Sequence, residues 1–261
     1  MAAQRKFDGA AFILSALSES QMIVATHQPH YLPWLGYLHR MAQVDLFIVL
    51  DHVQFERRNY QNRSRIRLNG EAHWLTVPVM QRSQKERITE KLIDNADPRA
   101  WGAIHCATLG HAYREAQHYS TYAGALRKIL DARWERLAEL NRTMLDLLRD
   151  AFEIRTPLAR SSELQVDGAK SDLILNLCRA VGADTLLAGF GGSRGYLDVE
   201  AFAREGVSIQ WHDFRHPTYQ QCGAQPFIPG LAAIDLLFNC GPQSRAILKG
   251  QTATHELRAA A

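Results

Sequence analysis

The segment Thr26-His27-Gln28-Pro29-His30-Tyr31-Leu32-Pro33-Trp34-Leu35-Gly36-Tyr37 gathers imidazole, amide, phenol and indole groups into one short stretch. Pro29 and Pro33 stiffen the backbone that presents them. An imidazole titrates near neutral pH, so His27 and His30 are candidate general bases, with Gln28, Tyr31, Trp34 and Tyr37 as candidate substrate contacts. Gly36 has no side chain and lets backbone approach a ligand or open a helix. The competing account is that both histidines only hydrogen-bond the loop to the core.

A second concentration of chemistry runs from Arg57 to Arg67, where Arg57, Arg58, Arg63, Arg65 and Arg67 face no carboxylate in sequence. If Arg63 to Leu68 is extended, the two-residue period puts Arg63, Arg65 and Arg67 on one cationic face. Guanidinium groups bind phosphates through paired hydrogen bonds, which suits a nucleotide-sugar diphosphate, a nucleotide or an RNA backbone. A solvated edge strand that uses charge against aggregation explains the same pattern. Asp51 before this region and Asn62 within it are candidates for orienting substrate or the histidines, and each could equally be a cap or a satisfied core polar group.

The third candidate is the loop from Gly189 to Asp198, with four glycines after an apolar run. Backbone N–H groups around Gly191, Gly192 and Ser193 could fold about an anion, with Tyr196 and Asp198 beside them. The spacing matches neither the P-loop nor G-x-G-x-x-G. A tight turn into a helix capped by Asp198 is the alternative. His212, Asp213 and His216 are close in sequence, but no third and fourth ligand can be named for a metal. No Gly-x-Ser-x-Gly elbow or cysteine-protease signature supports covalent catalysis.

The elements that must position these groups alternate. Ile23 to Ala25, Leu46 to Leu50 and Trp74 to Val79 read as strands, with a short helix from Leu35 to Gln43 between the first two. Helices are expected over Trp101 to Arg114, Tyr122 to Asp131 and Arg133 to Phe152, the last with Trp134, Leu137, Leu140, Met144, Leu147 and Leu148 on one apolar stripe. A helix from Lys170 to Val181 ended by Gly182, strands at Thr185 to Ala188 and Val207 to Trp211, and a helix from Leu231 to Phe238 follow. Strand–helix alternation around a helical middle predicts an α/β fold with a Rossmann-like parallel sheet. In such a sheet ligands gather at the carboxyl ends of strands, where Thr26 to Gly36 begins.

The 261 residues, 46% hydrophobic and 22% charged, are enough for a sizeable core. We expect one domain over residues 22–250, an extension or misassigned start over residues 1–21, and a frayed tail over 251–261. A net charge of +3 is too balanced to announce a nucleic-acid binder. The four cysteines are widely spaced and read as free thiols in a reducing, cytoplasmic setting. No apolar run reaches the roughly eighteen residues of a membrane span.

Two histidines three apart after a first strand partly resemble the H-x-x-H signature of nucleotidylyltransferases, although the usual intervening glycine is absent. The fuller resemblance is to the WbqC-like protein family of bacterial O-antigen and related clusters. It is carried by Ile23 to Tyr37, Asp45, Leu50-Asp51-His52-Val53-Gln54-Phe55, Asn62-Arg63, Trp74 to Val79, Tyr196-Leu197-Asp198, Phe227 to Leu231 and Asp235 to Gly241. The resemblance adds Asp235 and Asn239 to the candidate substrate contacts. It implies transfer of an acyl or aminoacyl group, such as glycyl, to a nucleotide-activated amino sugar. The donor would be an activated acyl group or an aminoacyl-tRNA. ATP-dependent carboxylate activation and a non-catalytic nucleotide-binding role in polysaccharide assembly are the other two readings. The glycine loop, with Phe190 and Arg194, departs from the family's commoner small-residue form.

Overall fold

The computed structural model describes residues 21–97, 99–223 and 226–250. The expected extension up to residue 20 and the tail from residue 251 lie outside them. Over the span expected as a single domain, the chain divides into two compact units, each assembled from separated segments. The first takes the described residues up to His27, then Val44–Ile48 and Thr156–Asp213. The second takes Gln28–Gln43, Val49–Arg155 and the chain from Phe214.

The first unit is a five-stranded sheet of β1 (Ile23–His27), β2 (Leu46–Val49), β5 (Leu158–Arg160), β6 (Thr185–Gly189) and β7 (Ser208–His212), ordered β5-β2-β1-β6-β7. β6 pairs in parallel with both β1 and β7. Every residue of β2 and the first four of β6 are buried, as expected for apolar strands covered on both faces. Helices Lys170–Ala180 and Val199–Arg204 make the crossovers to β6 and β7, as the Rossmann-like expectation requires. At the amino edge, Asp45 accepts the Ile23 N–H at 2.8 Å and Asp184 accepts the Met22 N–H at 2.7 Å. Those carboxylates close backbone donors that would otherwise be left open.

The second unit holds the antiparallel hairpin β3 (Arg63–Leu68) and β4 (Glu71–Thr76), and helices α1 (Leu35–Met41), α2 (Trp101–Tyr113), α3 (Tyr119–Asp131) and α4 (Leu137–Ala151). Asn69 and Gly70 both have positive φ, 52° and 82°, the backbone a two-residue hairpin turn demands. That turn starts β4 at Glu71, and Pro78, which has no N–H, cannot extend its ladder. The expected strand from Trp74 to Val79 therefore lies three residues earlier at each end. Helix α4 begins at Leu137 instead of Arg133, because the Trp134 indole N–H donates to the Ile129 carbonyl at 2.7 Å beyond the end of α3. The stripe of Leu137, Leu140, Met144 and Leu148 is buried as expected. The last predicted helix starts at Ile234 instead of Leu231, since Ala232 and Ala233 donate to the carbonyls of Arg65 and Pro33.

Close helix packing in this unit depends on Gly102. A Cβ placed there would lie 1.9 Å from the Leu130 carbonyl oxygen, a backbone atom with no freedom to swing away. Gly102→Ala should force α2 from α3 and cost about 1–3 kcal/mol, measured as a lower urea midpoint.

Candidate functional site

Numbered within the sheet alone, the five strands run third, second, first, fourth, fifth, the doubly wound order. The order reverses between β1 and β6, and ligands of such sheets bind outside the carboxyl ends at that reversal. Ile23 pairs with Thr185 and Val24 with Leu186, so the same register carried to the strand ends sets His27 against Gly189. Gly189 pairs in turn with His212 on β7. His27, the start of the glycine loop and His212 thus occupy one edge of three adjacent strands.

The loop leaving that edge tightens into a 3₁₀ turn over Gly192–Gly195. Arg194 lies with its guanidinium carbon 3.7 Å from the Phe190 ring centroid and 5.4 Å from that of Trp211. Stacking holds the guanidinium plane while leaving its N–H groups at an exposed position, an arrangement suited to an anion. Asp198 caps the helix after the loop, accepting the Ala201 N–H at 3.0 Å, and its own N–H donates to Ser171 Oγ at 2.9 Å. The cap reading of Asp198 therefore has a geometric basis. Ser193 is half-buried, and Gly191 and Tyr196 are exposed along the loop. Arg194 was missed as a site residue in the sequence, where only its departure from the family pattern marks it. His212 was set aside there for want of further metal ligands, and only strand order reveals its position.

His30 and the rest of the opening motif belong to the second unit. His30 is 6% exposed, stacked on Tyr60 at 5.3 Å and tilted against Tyr37 at 5.3 Å. Burial, and then the nearby Arg40 charge, lower its pKa from 6.5 to about 3. The near-neutral imidazole expected of His30 is thus corrected to one held uncharged in the core. Tyr31 is buried with its hydroxyl 2.9 Å from His105 Nδ1, and Leu32 takes a left-handed φ of 46°. Ser64 Oγ holds the strained Leu32 by donating to its carbonyl at 2.8 Å. Gly36 has a local reason: a Cβ there would lie 2.3 Å from the Trp34 indole, which covers it. Trp34 also meets Phe214 edge-on at 5.5 Å. Tyr37 is buried, and burial raises its pKa.

On the hairpin, Arg63, Arg65 and Arg67 do share the face that the strand period predicts, but they do not form one open cationic surface. Arg63 lies over the Trp74 ring at 4.1 Å, and Trp74 meets Tyr60 at 5.4 Å, so a column of rings runs from buried His30 to exposed Trp74. Arg65 is half-buried, with its backbone carbonyl taken by Ala232. Arg67 is 4% exposed and donates to Gln221 Oε1 and the Pro226 carbonyl, both at 2.9 Å. Beyond it, Asp235 accepts from Tyr113, Tyr219 and Gln221 at 2.7–2.9 Å, although it is fully buried. Arg67 and Asp235 are the two ends of a buried hydrogen-bond network that runs through Gln221.

Asn239 fastens the same region by accepting the Cys222 N–H at 2.7 Å and donating to the Asp235 carbonyl at 2.7 Å. Asn62 is buried, with its amide N–H on the Val77 carbonyl at 2.8 Å. Asp51 is buried, its N–H on the Val49 carbonyl and its carbonyl accepting from Thr89. Gln28 accepts from Gln61 at 2.8 Å and reaches the Glu56 carboxylate at 3.5 Å, while Asn59 donates to Glu56 at 2.6 Å.

Comparison with known proteins gives a match to the WbqC-like protein family over residues 28–247. The chain is also 32% identical over 229 residues to a Mycobacterium tuberculosis protein described as "Uncharacterized protein Rv1507c", covering 87% of this chain and 97% of that one. No solved structure matches. Among the described residues, no helix is long and apolar enough to cross a membrane.

Proposed function

The chain belongs to the WbqC-like protein family, and we propose that it is a transferase that acylates the amine of a nucleotide-activated amino sugar. Such substrates assign the reaction to the cytoplasm. The observation that carries the reading is the reversal of strand order between β1 and β6, which sets His27 and the glycine loop on one carboxyl edge. In this reading the nucleotide diphosphate lies along the Gly189–Asp198 loop, with backbone N–H groups and Arg194 facing its oxygens.

His27 is the general base, since it is half-buried where His30 is enclosed. The sugar nitrogen attacks the donor's carbonyl carbon and forms the new N–C bond. Its surplus proton passes to His27, and the bond to the leaving group breaks with its electron pair on that group.

Calorimetric titration with UDP and with ADP tests the binding half. Arg194→Ala is expected to weaken the preferred nucleotide about 10-fold, the loss of one charge-assisted contact. His27→Ala should keep that affinity and lower product formation from nucleotide sugars by about 10²-fold or more, read by mass shift. Unchanged turnover in His27→Ala would sink the catalytic assignment. The same anion-binding loop would also serve ATP-dependent activation of a carboxylate, and pyrophosphate release that requires ATP would select that reaction.

A further inference from the structure

The second unit contains a polar cavity of about 490 Å³ that the motifs above do not account for. Its volume falls within the range of small-molecule pockets. Gln54, Glu56, Arg57 and Gln84 stand on its exposed walls, and Phe55 and Lys91 form a buried part of the lining. Lys91 is 1% exposed, 2.6 Å from Glu86 and 4.9 Å from the Phe55 ring centroid. Burial pushes the Glu86 carboxyl up, but hydrogen bonds from Lys91 and Arg82 outweigh it and bring its pKa to about 2. Lys91 is therefore held on Glu86, a carboxylate that it shares with Arg82.

On the wall, Glu56 is oriented by Asn59 at 2.6 Å and Gln28 at 3.5 Å, and Gln28 is itself held by Gln61 at 2.8 Å. Gln61 also accepts the Glu56 N–H at 3.0 Å, which closes the ring of contacts. Gln54 donates to the Gln84 carbonyl at 2.7 Å and keeps its own amide oxygen as an acceptor. Planar amides, a carboxylate and a guanidinium in one cavity match the alternating donors and acceptors of a polyhydroxylated ring. The Glu56 carboxylate repels an anion at the exposed wall, against the attraction of Arg57, and Lys91 is ion-paired with Glu86.

We propose that this cavity is a carbohydrate subsite that takes a sugar ring bearing hydroxyls or a free amine, with Glu56 as its principal contact. Gln28, the amide of the opening motif, is then a positioning residue that acts through Glu56. This assignment is tested without nucleotide, so it stands or falls separately from the transferase reading.

The experiment is a saturation-transfer NMR titration of the full chain with glucosamine, glucose and glucose 6-phosphate. Glucosamine should saturate with a dissociation constant on the order of 1 mM, the strength expected of so small a ligand. Glucose should bind comparably or more weakly, and glucose 6-phosphate most weakly. Glu56→Gln, which keeps the side-chain shape, should weaken glucosamine at least 10-fold with an unchanged urea midpoint, and Gln84→Ala should weaken it too. Gln28→Ala should weaken it less than Glu56→Gln, and Arg194→Ala should leave it unchanged. Absence of saturation, tighter binding of the phosphorylated sugar, or full affinity in Glu56→Gln would each overturn the assignment.

Discussion

Acidification from pH 7 to pH 5 is expected to lower the stability of the second unit by about 4 kcal/mol through His30 and His105, which refuse protons there that the unfolded chain accepts, and by about 2 kcal/mol more through His39, also buried and with its pKa lowered to about 4. Burial and Arg40 bring His30 to about 3, and burial brings His105 to about 4 against a smaller opposing hydrogen bond with the Thr76 backbone. Both residues are nearly enclosed, at 6% and 4% exposure. Above the unfolded value of 6.5 neither state is protonated and the neutral imidazoles cost nothing. Below it the unfolded state gains a proton at each site, and each contributes about 1.4 kcal/mol of destabilisation per pH unit until the folded pKa is reached. Urea midpoints at pH 7, 6 and 5 check this. His105→Gln should lower the slope by about a third, its share beside His30 and His39, and an unchanged slope would show that His105 is not one of the groups.

Asp235→Ala is expected to cost about 3–5 kcal/mol, among the largest effects of any single change in the chain. Burial raises the Asp235 pKa, while bonds from Tyr219, Tyr113 and Gln221 and the charge of Arg67 oppose that rise. Removing the carboxylate strands two hydroxyls and an amide N–H in the core. It also leaves Arg67, 4% exposed, with Gln221 and a carbonyl but no anion. Asp235→Asn should cost less, since it keeps one acceptor oxygen. A chemical-denaturation difference under about 1 kcal/mol for Asp235→Ala would show that the network relaxes around the loss.

Much of this was legible in residue order. The buried runs at Leu46–Val49 and Thr185–Ala188 are apolar without alternation, so they read as sheet interior directly. The alternation of Arg63, Arg65 and Arg67 with Ser64, Ile66 and Leu68 gave the extended hairpin strand. What period alone could not give was the fate of each guanidinium. Arg67 is buried by Gln221 and Pro226, more than 150 residues away, and no local pattern announces them. The opening motif likewise announces its aromatic and imidazole groups but not their burial, so the enclosure of His30 between Tyr37 and Tyr60 could not be read from it. Strand order, which brings His27 beside Gly189, depends on pairing between segments the sequence keeps far apart. Trp134 was misread for a simpler reason: it continues the apolar spacing of the helix while its indole closes the preceding one.

The separated segments of the two units have a consequence for how the chain comes to be folded. The Met22 N–H meets the Asp184 carboxylate across 162 residues, and the β1–β6 pairing spans the same distance. During synthesis at about 5–20 residues per second, β1 leaves the ribosome roughly 10–30 s before the strand that must lie against it. The β3–β4 ladder and the packing of α2 on α3 rest on shorter contacts and can form within that interval, although Arg67 and Tyr113 wait longer still for Gln221 and Asp235. The carboxyl edge that brings His27 to the glycine loop is therefore among the last features assembled, and a nascent chain cut short before Thr185 carries the histidine motif without the strand that gives it a partner edge.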